Sequence, residues 1–398
     1  MNRKLIISFC ICVITMTSFA QQALWGGQDI ISPEIHPDNT VTFRLAAPKA
    51  VKVQVTGDFL PPQPTETPYG TFDLPGTADL TEGEGGVWSY TTPQALAPEL
   101  YSYSFIVDGL KINDPNNVYQ IRDVASVTNV FIIGGGRADL YKVNDVPHGT
   151  VARRWYNSPT LGKDRRLTIY TPPGYETSGK SYPVFYLLHG MGGDEEAWIA
   201  LGRTAQILDN LIAEGKAKPM IVVMTNGNVY QQAAPGEAAS GMYKPTMQLP
   251  NTMEGSMEES FPDVIKFIDS NYRTIKKKSG RAIAGLSMGG FHTLHISKQY
   301  PDLFDYVGLF SAAILPDKEV KSPIYDNLEQ KLKTQFDKKP KLYWIAIGKT
   351  DFLYEANVDY RKLLDEKGHS YIYYENEDGH IWKNWRIYLT EFVPMLFK

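Results

Sequence analysis

The sequence reads as two units of different class: an all-β, immunoglobulin-like sandwich over residues 23–135, then an α/β domain on a doubly wound sheet over residues 145–398. Three observations predict this. Up to about residue 133, short segments alternate apolar and polar side chains with period two between turn signals. Beyond residue 145, strand-like and helix-like runs alternate. Within that second part, a serine flanked by glycines stands between an apolar run and a helix-like one. A chain of 398 residues has room for two domains, at about 100–200 residues each.

In the first unit, residues 40–45, 51–55 and 101–107 alternate, the pattern of half-buried strands. Turn signals separate them: Gly57-Asp58, Pro61-Pro62, residues 83–86, Asp108-Gly109 and the run from Asp114 to Asn117. Strands this short at this spacing predict a sandwich. Trp88 is read as core. Asp114, Asn116 and Asn117 carry oxygens suited to calcium, but their spacing matches no calcium loop and a turn is the simpler reading. Gly134-Gly135-Gly136 closes the unit, and residues 145–149 open the next.

In the second unit, strands are predicted over 166–170, 184–188, 220–224, 281–284, 306–310, 342–347 and 371–374. Helices are predicted over 203–214, 261–271, 290–300 and 358–367. Several strands are continuously apolar, as in a sheet covered on both faces, whose ligand crevice lies at the strands' carboxyl ends. Residues 226–256 match no element and are a candidate substrate-binding lid.

The first twenty residues form a separate segment. Arg3 and Lys4 precede an apolar stretch and the small-residue site Ser18-Phe19-Ala20, which together make a secretory signal peptide and predict export, to the periplasm or the medium. Both cysteines, Cys10 and Cys12, fall inside it, so disulfides, thiolate catalysis and cysteine-held metals are excluded for the mature chain. Without the leader the net charge moves from −4 to −6, which offers nucleic acid and anionic membranes no electrostatic attraction. No cofactor and no metal are expected. The 24 Tyr and 7 Trp suit sugar or aryl ligands.

The chemistry is carried by Gly285-Leu286-Ser287-Met288-Gly289. A G-x-S-x-G between strand and helix is the nucleophile elbow of an α/β-hydrolase, with the hydroxyl exposed at the strand's carboxyl end. A serine needs a base, and the base an orienting acid. In this fold both follow the serine in the chain, acid first. His292 and His295 lie on the helix leaving the elbow, and His369 precedes the last strand at the wrong edge of the sheet. His380 follows that strand at the correct edge and is the candidate base. Asp351, just beyond the run 342–347, is the candidate acid. Glu355 and Asp359 read as a solvated face, and Asp378 is too close in sequence to orient His380. Oxyanion donors are the amide of Met288 and an amide of the glycine-rich turn after residue 188, Met191 or alternatively Gly192. His189 is read as bracing that turn. Trp382, Trp385, Tyr230 and Tyr243 are candidates for an aryl pocket, and equally for ordinary packing.

Two resemblances add to this. Gly57-Asp58-Phe59, Gly86-Val87-Trp88, the run 101–109 and Asp114-Pro115-Asn116 resemble the N-terminal sandwich module of glycogen-branching and isoamylase-type enzymes, which implies a carbohydrate-binding-module-like domain. Residues 170–175, 187–193 and 284–290, with Gly348 to Asp351 and Gly379-His380-Ile381-Trp382, resemble the esterase family of feruloyl and acetyl xylan esterases, carbohydrate esterase family one. One departure is Asp378-Gly379 where the family often has two glycines. The resemblance implies a Ser287, Asp351 and His380 triad. It also implies a serine esterase whose partner is feruloylated xylan or a xylo-oligosaccharide. An acetyl xylan esterase, a siderophore esterase and a non-catalytic glycan-binding protein are the alternatives; the acidic composition disfavours a catecholate substrate.

Overall fold

The computed structural model describes residues 30–398 except 68, 69, 248 and 318. The leader read from the sequence, with both cysteines, lies outside the described residues.

The first unit is antiparallel β throughout. In chain order its strands are β1 (Glu34–Ile35), β2 (Val41–Ala46), β3 (Val53–Gly57), β4 (Gln63–Thr67), β5 (Gly70–Leu74), β6 (Gly76–Asp79), β7 (Thr81–Glu82), β8 (Val87–Thr91), β9 (Glu99–Val107), β10 (Leu110–Ile112), β11 (Gln120–Asp123) and β12 (Ser126–Ile133). One sheet runs β1-β2-β8-β7 and the other β11-β12-β9-β3-β6, with β10 on β9 and a separate β4-β5 hairpin. Alternate side chains of each meet in one core, where Phe43 stacks on Phe59 at 4.8 Å and meets Tyr103 edge-on at 4.9 Å. Trp88 is buried there, its indole donating to the Ala47 carbonyl at 3.0 Å. Asp114 is fully buried and accepts from Ser32 Oγ at 2.6 Å, Tyr103 Oη at 2.8 Å and the Asn116 amide at 2.8 Å, so its oxygens serve the turn.

The second unit is an eight-stranded sheet in the order β13-β14-β16-β15-β17-β18-β19-β20. β13 (Thr150–Ser158) and β14 (Lys163–Thr171) are antiparallel to each other, and β14 is antiparallel to β16 (Ile221–Thr225). From there β15 (Val184–Leu188), β17 (Arg281–Leu286), β18 (Tyr306–Phe310), β19 (Leu342–Gly348) and β20 (Ile372–Asn376) all run parallel. The helices are α1 (Ala197–Ala200), α2 (Thr204–Ala213), α3 (Ser256–Asn271), α4 (Met288–Gln299), α5 (Leu328–Asp337), α6 (Tyr354–Glu366) and α7 (Trp382–Phe392). They cover both faces. On β17, Ala282, Ala284 and Leu286 face the layer holding α7, while Ile283 faces the layer holding α3 and α4. This is the α/β-hydrolase arrangement.

Four elements of this unit are absent from the sequence reading: β13, α1, α5 and α7. β13 is an edge strand with few apolar residues, so its pattern is faint. α7 reveals itself by what it covers, burying Trp385, Ile387, Tyr388, Leu389 and Phe392 on the sheet. The segment 226–256 is also not simply a lid. Its first third is a packed wedge, with Asn226, Asn228, Val229, Ala233 and Ala234 buried, tied by Arg165 to the carbonyls of Asn226 (2.5 Å) and Asn228 (3.0 Å).

The two units share a core. Leu100, Ala138 and Tyr141 pack into the same apolar layer as Trp198, Leu208 and Tyr388, so residues 136–141 belong to the contact rather than to a free linker. Arg386 pins the seam, donating to Glu99 Oε1 at 2.9 Å and to the Leu100 carbonyl at 3.0 Å, with both charged side chains buried. Among the described residues, no helix is long and apolar enough to cross a membrane.

Candidate active site

The site begins at the end of β17, where every residue is buried. Ser287 then takes φ 53° and ψ −116°, a conformation rare for a residue with a side chain, and α4 starts at the next residue. Of residues 281–290, Ser287 alone is not buried. The turn closes this sharply because its neighbours lack side chains. A Cβ on Gly289 would overlap the Leu188 carbonyl and stand 2.5 Å from the His189 carbonyl oxygen; one on Gly290 would stand 2.5 Å from Ala312 Cβ. The backbone is tied to the next strand: the Ser287 amide donates to the Phe310 carbonyl at 2.9 Å, and its own carbonyl accepts from Ala313 at 3.1 Å. The strained residue is therefore held rather than free to relax.

β19 and β20 end on the same rim as β17, and the loops beyond them carry Asp351 and His380. His380 Nδ1 donates to Asp351, 3.0 Å from Oδ1 and 2.9 Å from Oδ2. The Asp351 side chain is fully buried and also accepts from the Leu353 amide at 2.9 Å. Holding the proton on Nδ1 leaves Nε2 of the neutral ring as the acceptor. The two loops meet because residue 348 is glycine: a Cβ there would overlap the Asp378 carbonyl and come within 2.7 Å of Asn384 Nδ2. The rejected acids are engaged elsewhere, Asp378 with Lys383 (2.8 Å) and Asp359 with Lys362 (3.0 Å). The other histidines after the elbow are also occupied. His292 pairs with buried Glu258 at 2.8 Å, His295 reaches the Ile314 carbonyl at 3.3 Å, and His369 stacks on Phe336 at 4.2 Å.

The turn after β15 lies against the elbow, since a Cβ on Gly190 would stand 3.3 Å from Ser287 Cβ. His189 braces it. Its Nδ1 donates to the Gly190 carbonyl at 2.7 Å, and its Nε2 accepts from the Gly227 amide at 2.8 Å. Burial pushes its pKa down to about 4, so the ring is neutral and both bonds persist at pH 7. Met191 follows Gly190 in this turn and is half-buried. Met288 heads α4, where the first amides have no partner within the helix.

The aromatic candidates separate. Trp385 is buried and meets the His380 ring edge-on at 5.0 Å; Trp382 meets Trp385 edge-on at 5.1 Å and Trp198 at 5.3 Å. Both back the base. Tyr230 does not join them: it is exposed, 6.0 Å from Lys163 Nζ at the start of β14. β14 lies three strand spacings from β17, about 14 Å. Tyr243 is half-buried, with its phenol pKa raised by burial and by the nearby carboxylates of Asp194 and Glu195. Phe352 was not anticipated. It stands 62% exposed over His380, ring centroids 4.5 Å apart, and an aromatic beside a candidate acid carries no signal in sequence until the loop is folded.

Comparison with known proteins gives four findings. The family model described as "Putative esterase" matches residues 158–396. An endo-1,4-beta-xylanase/feruloyl esterase of Xylanibacter ruminicola is 31% identical over 298 residues, 73% of this chain and 37% of that protein, so the chain spans well under half the length of that relative. Among solved structures, a ferulic acid esterase of the anaerobic fungus Anaeromyces mucronatus aligns with TM-score 0.53 at 24% identity, over 64% of this chain and 93% of that one. The enterobactin esterase of Shigella flexneri aligns with TM-score 0.58 at 16% identity, over 89% and 92%. At these identities the structural matches speak to the fold. The second extends across both units.

Proposed function

The chain belongs to this esterase family, and from that premise we propose that it is an exported serine esterase releasing hydroxycinnamate, such as ferulate, from plant cell-wall xylan. The observation that carries the reading is the buried Asp351 carboxylate holding His380 Nδ1, on the rim where the strained Ser287 is presented. In this mechanism Ser287 Oγ attacks the ester carbonyl while His380 Nε2 takes its proton. Asp351 stabilises the imidazolium without being protonated itself. The tetrahedral oxyanion rests on the amides of Met288 and Met191. His380 then protonates the departing sugar hydroxyl, and water cleaves the acyl-enzyme by the same route, returning Ser287 and the free acid.

Support for the acyl group comes from the feruloyl esterase among the relatives and from the exposed Phe352 ring over the base, suited to an aryl acid. Support for export is the charged, apolar and small-residue order of residues 1–20. The test is paired hydrolysis of methyl ferulate and acetylated xylan by the purified protein and by Ser287→Ala. Ferulate release that falls on the order of a million-fold in kcat in the variant is the expected result. Acetate release alone would replace the hydroxycinnamate reading by an acetyl xylan esterase. Turnover retained in Ser287→Ala would remove the covalent mechanism.

A further inference from the structure

The first unit reaches the turn that faces Ser287. β11 and β12 are joined by Val124-Ala125, and Val124 takes φ 49°. A β-branched residue is a poor choice there, because its methyls crowd the backbone in the left-handed region and glycine would relieve the strain. Strain of this kind persists where the side chain is needed. Its use is visible: a Cβ built on Gly192 would stand 2.8 and 3.2 Å from the two Val124 methyls, and 2.9 Å from Met247 Sδ. Val124 is thus seated over Gly192. Its neighbour Arg122 donates through Nη2 to Asp194 Oδ2 at 2.5 Å, and through Nη1 to the Val124 carbonyl at 3.0 Å. The Asp194 side chain is 2% exposed, and its other oxygen accepts from the Glu196 amide at 3.0 Å.

Residues 190, 192 and 193 are glycines, so the turn has little stiffness of its own. An oxyanion donor, however, stabilises the transition state only when held within a few tenths of an ångström of its place. His189 holds one end of the turn, Val124 presses on its middle and Arg122 anchors its far end through Asp194. We propose that Arg122 and Val124 are positioning residues for the oxyanion-binding turn, which makes the N-terminal sandwich a working part of the catalytic site. The inference rests on the reading above that an amide of this turn receives the oxyanion, and it holds whether that amide is Met191 or Gly192.

The test uses the full chain with Val124→Gly and Arg122→Gln. Arg137→Gln serves as the control, because it removes an ion pair of the same seam (Arg137 with Glu391, 2.6 Å) that does not touch the turn. With p-nitrophenyl acetate, too small to need the sandwich for binding, kcat is expected to fall about tenfold in the first two variants while KM stays within twofold. Complete loss of a donor, at about 10²–10³, sets the ceiling. Inhibition by phenylboronic acid, whose tetrahedral serine adduct places an oxygen in the oxyanion site, should weaken by the same factor. Val124→Gly should melt no lower than the parent, since it relieves strain, and this separates positioning from a folding defect. Unchanged kcat and boronate affinity in Val124→Gly and Arg122→Gln, or an equal loss in Arg137→Gln, would overturn the proposal. An inactive parent chain, or a fully active Ser287→Ala, would instead overturn the reading beneath it.

Discussion

Asp351 holds His380 Nδ1 with both carboxylate oxygens, at 3.0 and 2.9 Å, across 29 residues of sequence and from a fully buried position. The pair sets which ring nitrogen carries the proton, so a change in the acid should act on chemistry more than on binding. Asp351→Asn keeps the shape and offers the wrong hydrogen-bond polarity. Its kcat on an aryl ester is expected to fall by about 10⁴ at pH 7, with KM within a few-fold of the parent. Steady-state kinetics giving a kcat within tenfold of the parent would remove Asp351 from the mechanism.

Phe352 should separate acyl groups. Its ring lies over His380 and is largely exposed, and an aromatic contact is worth about 0.5–1.5 kcal/mol beyond area. Phe352→Ala is expected to raise KM for methyl ferulate roughly fivefold and to leave KM for p-nitrophenyl acetate within twofold. Equal changes for both esters would assign the ring a purely structural part.

The seam between the units should report on global stability. Removing one partner of a buried ion pair costs about 3–5 kcal/mol, because the other charge is left without compensation. Arg386→Met strands buried Glu99, and Glu99→Gln in the same chain should recover part of the loss. Urea titration of the two single variants and the double variant measures this. Additive losses would show that the pair is not coupled.

Acid should weaken the fold through its buried histidines. His189 titrates near 4 in the native chain against 6.5 when exposed, and His295 is likewise held well below 6.5, both chiefly by burial. The unfolded state therefore binds protons first, and stability falls as pH drops from about 6.5 toward 4. It is fully present above that window. Melting temperature against pH should show this decline, with a shallower slope in His189→Asn. An unchanged slope in that variant would mean that other groups set the acid limit.

Much of this was legible in the chain because the signals are local. Glycine at 285, 289 and 290 around Ser287 reports a turn too tight for side chains, and the order Ser287, Asp351, His380 follows from which end of each strand a residue leaves. Period-two alternation marked the strands near 41–46 and 99–107, and burial on both faces marked β15 to β19. β13 and α7 escaped for the opposite reason. One is an edge strand with a thin apolar pattern, and the other is defined by the sheet it covers.

By itself, then, the sequence determined the two-unit plan, the elbow and the candidate nucleophile, acid and base, since each depends on backbone geometry within a few residues. Only the tertiary structure decided what those parts press against. Arg386 meets Glu99 across 287 residues, Arg122 meets Asp194 across 72, and Tyr230 lies beside Lys163 rather than among the rings around His380. A local pattern states which side of a segment must leave water. It does not state which distant surface will receive it.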